Sequence, residues 1–260
     1  MPSFPHTPIG LIGFGAFGRL VAAHLAAHVT LRIHDPYVSE AGFAAAGVAP
    51  CGLAEAASCP VVILATPVSS LAEVVRAVAP HLRPGALVLD VGSVKVGPAA
   101  IMREGLPPGI DIVATHPLFG PQSARDGLRG LKIAVCPVRG GRARRVAAFL
   151  RRGLGLEVIL TTPEAHDREA AAVQGLTHLI AKVLVAMEPL PTRMTTRSFD
   201  LVMQAVGMVR HDAPEVYHAI ERANPYAAEV RRRFFDLAAQ MDGELGEVEM
   251  AGTELCPTPS

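Results

Sequence analysis

Gly13, Gly15 and Gly18 stand between a short apolar run at residues 9–12 and an alanine-rich, helix-forming stretch at 19–28. A second apolar run at 30–34 follows and ends on Asp35, seventeen residues past Gly18. A G-x-G-x-x-G triplet alone says little, because any glycine-rich turn of an unrelated α/β protein can match it. Inside a complete strand–turn–helix–strand–acid unit it reads as a dinucleotide-binding fingerprint.

Each glycine has a separate job in that reading. Gly13 permits the tight turn, Gly15 lets a pyrophosphate approach the backbone, and Gly18 lets the helix pack close to the strand. The first helical turn, with Phe14, Ala16 and Phe17 in the loop, offers free N–H groups and positive potential to the phosphates. Asp35 can accept hydrogen bonds from both ribose hydroxyls of NAD and would repel a 2′-phosphate. The next residues are Pro36 and Tyr37 rather than an arginine, so NAD is favoured over NADP. Thr66, just beyond the third apolar run, joins the cofactor-contacting set.

The pattern continues. Strand-like runs recur at 61–65, 86–91, 112–114, 132–136 and 157–160, with helix-like stretches at 71–79 and 143–152 between some of them. Alternation of this kind predicts an α/β fold, a Rossmann-type doubly wound parallel sheet. Beyond residue 160 the strand signal stops. Helical text follows at 164–188, 198–209, 214–223 and 226–241. The expected division is a dinucleotide-binding domain over 1–162, an all-helical substrate and dimerisation domain over 163–242, and a mobile acidic, Pro/Thr/Ser-rich tail over 243–260.

Composition excludes several classes. Lys+Arg and Asp+Glu both number 24, so no global field attracts nucleic acid or a membrane surface. The four cysteines lack metal-ligand or disulfide spacing, which suits a reducing cytoplasm and predicts no metal site. No secretory signal pattern opens the chain, and no apolar segment reads as membrane-length.

Two polar groups sit just beyond apolar runs. Ser93 follows 86–91 within Asp90-Val-Gly-Ser-Val-Lys95, and His116 follows 112–114 within Thr115-His-Pro-Leu-Phe-Gly-Pro121. In a parallel sheet, both strand ends reach one crevice. A serine and a histidine there can handle the proton of a bound alcohol, and beside a dinucleotide loop that is the equipment of a dehydrogenase. In the first long helix, Val173, Leu176, Ile180, Val183, Leu184 and Met187 form an apolar stripe expected to face the core. Gln174, His178 and Lys182 step by four along its polar edge.

These segments carry a resemblance. The loop Gly13–Gly18, the D-x-G-S-V-K segment, the T-H-P-L-F-G-P-Q-S segment over 115–123, and His166-Asp167 followed by Gln174 and Thr177-His178 resemble the prephenate/arogenate (cyclohexadienyl) dehydrogenases of tyrosine biosynthesis. The likeness spans roughly residues 8–240 in the family's order. It implies NAD-dependent oxidation of the ring C4 alcohol of prephenate or arogenate, with loss of carbon dioxide. It implies His116 as the acceptor of the hydroxyl proton, Ser93 as the group holding it in register, and a homodimer built on the helical domain. Gln122, Ser123, Gln174 and His178 fall at substrate-contacting positions. Arg231 and Arg232 fall in the region that supplies a carboxylate-binding arginine in some relatives. Plant-type arogenate enzymes carry an acid where Cys136 aligns, which leans the expectation toward prephenate. About twenty residues follow Met241, short for a regulatory domain, and no chorismate mutase segment precedes the glycine loop. Tyrosine feedback is therefore expected to act at the active site.

Two rival readings share the architecture. Hydroxyacid dehydrogenases and imine reductases typically use a lysine on the first interdomain helix, which would make Lys182 the proton-handling group. A nucleotide-sensing protein would keep the loop and need no Ser93–His116 pair.

Overall fold

The computed structural model describes residues 7–253. Its first half runs β1 (Ile9–Ile12), α1 (Ala16–Leu25), β2 (Leu31–His34), α2 (Glu40–Ala44), α3 (Leu53–Ala57), β3 (Val61–Leu64), α4 (Leu71–Val78), β4 (Leu87–Asp90), α5 (Val96–Gly105), β5 (Asp111–Pro117), β6 (Lys132–Arg139), α6 (Ala143–Gly153) and β7 (Glu157–Leu160). The strands form one sheet of order β2-β1-β3-β4-β5-β6-β7. Near-continuous apolar runs are what a sheet buried on both faces requires, and β1 and β4 are buried throughout.

The sheet is not wholly parallel as expected. β5 and β6 pair antiparallel, His116 opposite Ala134 and Ala114 opposite Cys136, and β7 then pairs parallel to β6. The connection from 118 to 131 forms turns rather than a crossover helix, so the chain can only come back alongside itself. Reversing β6 also returns α6 to the face that carries α1. One face packs on α1, α2 and α6 through Leu11, Phe14, Phe43, Val113 and Ala147. The other packs on α3, α4 and α5 through Val62, Val75, Met102, Ile112 and Ala114. Between α1 and α6 an apolar cavity of about 310 Å³ remains, lined by Val21, Leu89, Phe119, Val146 and Phe149 among others.

After β7 the chain turns helical. Thr162 caps α7 (Pro163–Ala170) by accepting from the Ala165 amide, with Pro163 in the first turn where its missing N–H costs nothing. A π-helical turn over Ala171–Gly175 joins α7 to α8 (Leu176–Ala186). Then come α9 (Arg197–Val209), α10 (Pro214–His218), a second π turn over Ala219–Ala223, and α11 (Ala227–Thr253). α11 continues well past Met241 into the segment expected as a tail; residues 1–6 and 254–260 lie outside the described residues.

Two expectations for this half change. The 173/176/180/183/184/187 stripe does not face the core of the chain: Val173 and Met187 are well exposed, and Leu179 and Ala181 are buried instead. The helical run Pro163–Ala186 also reaches membrane-crossing length and apolarity, with a mean hydropathy of 1.2 in its most apolar window, of which a third is buried. A core helix of a soluble protein meets the same two criteria.

Candidate active site

The sheet order reverses beside β1, where the chain goes out to β2 and returns across to β3. Ligands of open α/β sheets bind at such switch points, outside the strand ends. Gly13 adopts φ +101°, and a Cβ there would lie 2.4 Å from the Ala65 carbonyl oxygen. A Cβ on Gly18 would lie 2.2 Å from the Gly13 oxygen, so only glycine lets α1 start this close to β1. A Cβ on Gly15 would meet nothing within 4 Å, which keeps open space above the loop. Ala16, exposed, and Phe17, half-buried, begin α1, whose Gly15 cap position offers no side-chain acceptor to the first amides. Thr66 directs a buried hydroxyl without a partner from the loop after β3. Free helix amides, open volume and an orphan hydroxyl fit a dinucleotide.

Asp35 stands at the end of β2 as expected, and it also braces the loop. Its Oδ2 accepts from the Phe14 amide at 2.7 Å and its Oδ1 from the Tyr37 amide at 2.8 Å. The Phe14 ring turns inward, stacked on Phe43 at 5.0 Å with the Arg19 guanidinium over its other face. Only the Phe14 backbone is therefore left on the open side of the loop.

His116 ends β5 on the side facing α5 and is almost fully buried. Its Nδ1 lies 2.8 Å from His166 Nε2, and His166 Nδ1 lies 2.7 Å from Asp167 Oδ1. The Asp167 carboxylate also accepts from the main-chain amides of Lys95 at 2.7 Å and Val96 at 2.8 Å, where α5 begins. Asn224 donates to the Asp167 carbonyl oxygen at 2.7 Å. Burial holds the His116 pKa well below the ordinary 6.5, and the neighbouring His166 and Lys95 push it the same way. All three effects favour the neutral imidazole, the form that can accept a proton. Lys95 itself is fully buried, its ammonium held by Asp90 and, at 2.6 Å, by the Thr115 carbonyl oxygen.

Gln174 reaches the same histidine, its amide nitrogen 3.3 Å from His116 Nε2, and its amide oxygen is buried without a partner. The π turn that contains Gln174 explains how a residue eight positions after His166 can face the same ring, since one extra residue per turn shifts the helical phase.

The other expected residues lie elsewhere. Ser93 is half-buried in the loop between β4 and α5, and no hydrogen bond joins it to His116. His178 is buried but turned away: Nδ1 meets the Gln174 carbonyl oxygen at 3.0 Å and Nε2 meets Asp212 at 3.1 Å. Gln122 and Ser123 sit exposed in the turns after β5. Arg231 donates to buried Glu221 at 2.6 Å, and Arg232 is exposed. Lys182 is exposed with its ammonium over Tyr217, about 12 Å along the helix axis from Gln174. Cys136 is fully buried, its thiol pushed up to about 12 by burial, with Lys95, Asp90 and Asp167 near enough to act on it. Sequence reasoning assigned no role to His166, Asp167, Asn224 or Asp212; the adjacent His166-Asp167 pair was the visible signal for the first two.

Comparison with known proteins fits this geometry. The family model for the nucleotide-binding domain of prephenate dehydrogenase matches residues 19–151. Arogenate dehydrogenase 2 of Arabidopsis thaliana, a chloroplastic protein, is 30% identical over 237 residues, covering 86% of this chain and 66% of its own length. The 4-amino-4-deoxyprephenate dehydrogenase of Streptomyces pristinaespiralis is 32% identical over 190 residues, covering 70% and 63%. The chain thus spans less than two thirds of either relative. The prephenate dehydrogenase from A. aeolicus, solved with hydroxyphenyl propionate and NAD+, superposes with a TM-score of 0.71 over 98% of this chain and 100% of that one; at 20% identity this shows the shared fold. With the family model matched across half of its length, the chain belongs to the prephenate/arogenate dehydrogenase family.

Proposed function

We propose that this protein catalyses the NAD-dependent oxidative decarboxylation of a cyclohexadienyl substrate, prephenate or arogenate, with His116 accepting the C4-hydroxyl proton. The observation that carries the reading is a buried imidazole at the end of β5, beside the crevice that the glycine loop opens, where burial disfavours its charged form.

NAD, when bound, supplies the hydride acceptor. The chain's residues do the rest. Gly13–Gly18 and the first turn of α1 take the pyrophosphate, Asp35 the ribose hydroxyls, and Thr66 a further polar contact. Those choices favour NAD over NADP, since a 2′-phosphate would meet the Asp35 carboxylate. His116 withdraws the hydroxyl proton as ring density leaves C4, and Gln174 orients substrate beside it. Loss of carbon dioxide then makes the ring aromatic. Ser93 lines the same strand-end crevice.

We read residues 1–162 as the cofactor half and 163–242 as the half that supplies substrate contacts and a dimer interface. Exposed Val173, Ile180, Val183, Met187, Phe235, Leu237 and Met241 support a homodimer, because so many apolar side chains on one helical half are costly in water. Arg231 and Arg232 lie on that half and are the candidate partners of the substrate carboxylates.

The deciding experiment is a panel of prephenate and arogenate, each with NAD⁺ and NADP⁺, followed by absorbance of the reduced nicotinamide. Turnover with NAD⁺ and either substrate is expected. Silence in all four combinations, for protein shown to bind NAD⁺, would remove the reading.

A further inference from the structure

We propose that His166 is a positioning residue for His116: anchored by Asp167, it holds the His116 proton on Nδ1 and so leaves Nε2 as the acceptor facing the substrate. This deepens the proposed role of His116 and rests on it.

One group among these contacts has a fixed polarity. The Asp167 carboxylate receives the Lys95 and Val96 amides, donors with no other choice, so it stands as an acceptor in a fully buried position. His166 Nδ1, 2.7 Å from Asp167 Oδ1, therefore carries a proton. With that one proton on the ring, His166 Nε2 is bare. That atom lies 2.8 Å from His116 Nδ1 and must receive the proton of that nitrogen. A neutral His116 is left with a bare Nε2, and the Gln174 amide group lies next to it at 3.3 Å. His116, His166 and Asp167 are all buried, so water offers none of them a competing partner.

The opposite polarity is equally specific. A second proton on His166 would make its Nε2 a donor to His116 Nδ1. His116 would then present an N–H to the substrate hydroxyl and accept nothing. The Lys95 charge, itself paired with Asp90, opposes a second proton on the His116 ring. The three residues thus select one imidazole tautomer, a task that neither Ser93 nor the cofactor loop performs.

Two substitutions separate positioning from packing. An asparagine side chain ends near the level of the ring Nδ1, so His166→Asn keeps a partner for Asp167 and cannot reach His116. A glutamine side chain ends near the level of Nε2, so His166→Gln can present an oxygen to His116 Nδ1. Nitrogen-15 spectra of histidine-labelled protein report the tautomer directly. For the unaltered protein we expect His116 Nδ1 protonated and Nε2 bare. For His166→Asn we expect mixed tautomers and a kcat lower by about 100-fold, with KM changed by less than about threefold. His166→Gln should recover kcat to within about tenfold of the unaltered protein. A proton found on His116 Nε2 in the unaltered protein, or an asparagine variant with unchanged spectrum and kcat, would overturn the proposal. The spectrum needs no substrate. A protein silent toward both substrates would thus defeat the functional reading, while the tautomer result stands or falls separately.

Discussion

Replacing Asp167 by alanine tests how the helical half is fastened to the sheet. The substitution strips acceptors from the Lys95 and Val96 amides and from the His166 Nδ1–H in a position without exposed surface. A buried donor left without an acceptor costs about 1–3 kcal/mol, and losing an anion from a helix N-terminus adds about 0.3–1 kcal/mol. Water entering the vacated space offsets part of that, leaving a net loss of about 3–5 kcal/mol. A chain of 260 residues unfolds with an entropy of roughly 0.5 kcal/mol/K, so the midpoint should fall by roughly 6–9 °C. Thermal melting followed by far-ultraviolet circular dichroism gives the shift, and urea titration checks that the slope is unchanged. Asp167→Asn keeps one acceptor oxygen and should lose about half as much. An alanine variant that melts within about 1 °C of the parent would refute the idea that this carboxylate ties the two halves together.

Three further outcomes follow from the same contacts. Because the His116 pKa is depressed below 6.5, the unfolded ring takes up a proton first as pH falls; stability should decline with pH below 6.5, and His116→Asn should flatten that part of a Tm–pH series. Gly13→Ala forces a Cβ onto the Ala65 oxygen at φ +101°, so calorimetric titration should show NAD affinity reduced by at least about tenfold, and an unchanged affinity would count against the loop reading. Arg231→Ala leaves buried Glu221 without its cation and should cost about 1–3 kcal/mol in urea unfolding, a value discounted because the guanidinium is partly exposed; a large KM increase without loss of stability would instead make Arg231 a substrate ligand.

Much of the architecture was legible because apolar runs of four to eight residues between turn signals are what a sheet covered on both faces demands. The glycine loop was legible because each glycine answers a steric requirement that the structure displays at Gly13 and Gly18. Strand direction was not, since the run at 132–136 looks the same in either orientation; the glycines at 120, 127 and 130, without a helical pattern between them, were the hint of a return loop. His116 was found from its place after an apolar run, whereas its partner lies fifty residues away on another element. His178 was expected beside substrate, but Asp212 claims its Nε2, a pairing that no spacing rule announces. The exposed stripe on α8 was misassigned to the core because amphipathic periodicity identifies an apolar face without saying which molecule covers it.

The π turn at Ala171–Gly175 has a consequence for sequence change in this helix. α7 packs on α5, and α8 packs on α9. The inserted residue offsets these two faces by about 100° from where an uninterrupted α-helix would put them. Deleting one residue within the turn would restore regular hydrogen bonding and swing α8 off α9, while a substitution that keeps the length would leave the phase intact. Length in this stretch is therefore under tighter constraint than identity, and alignments of this helix should tolerate varied side chains but no gap.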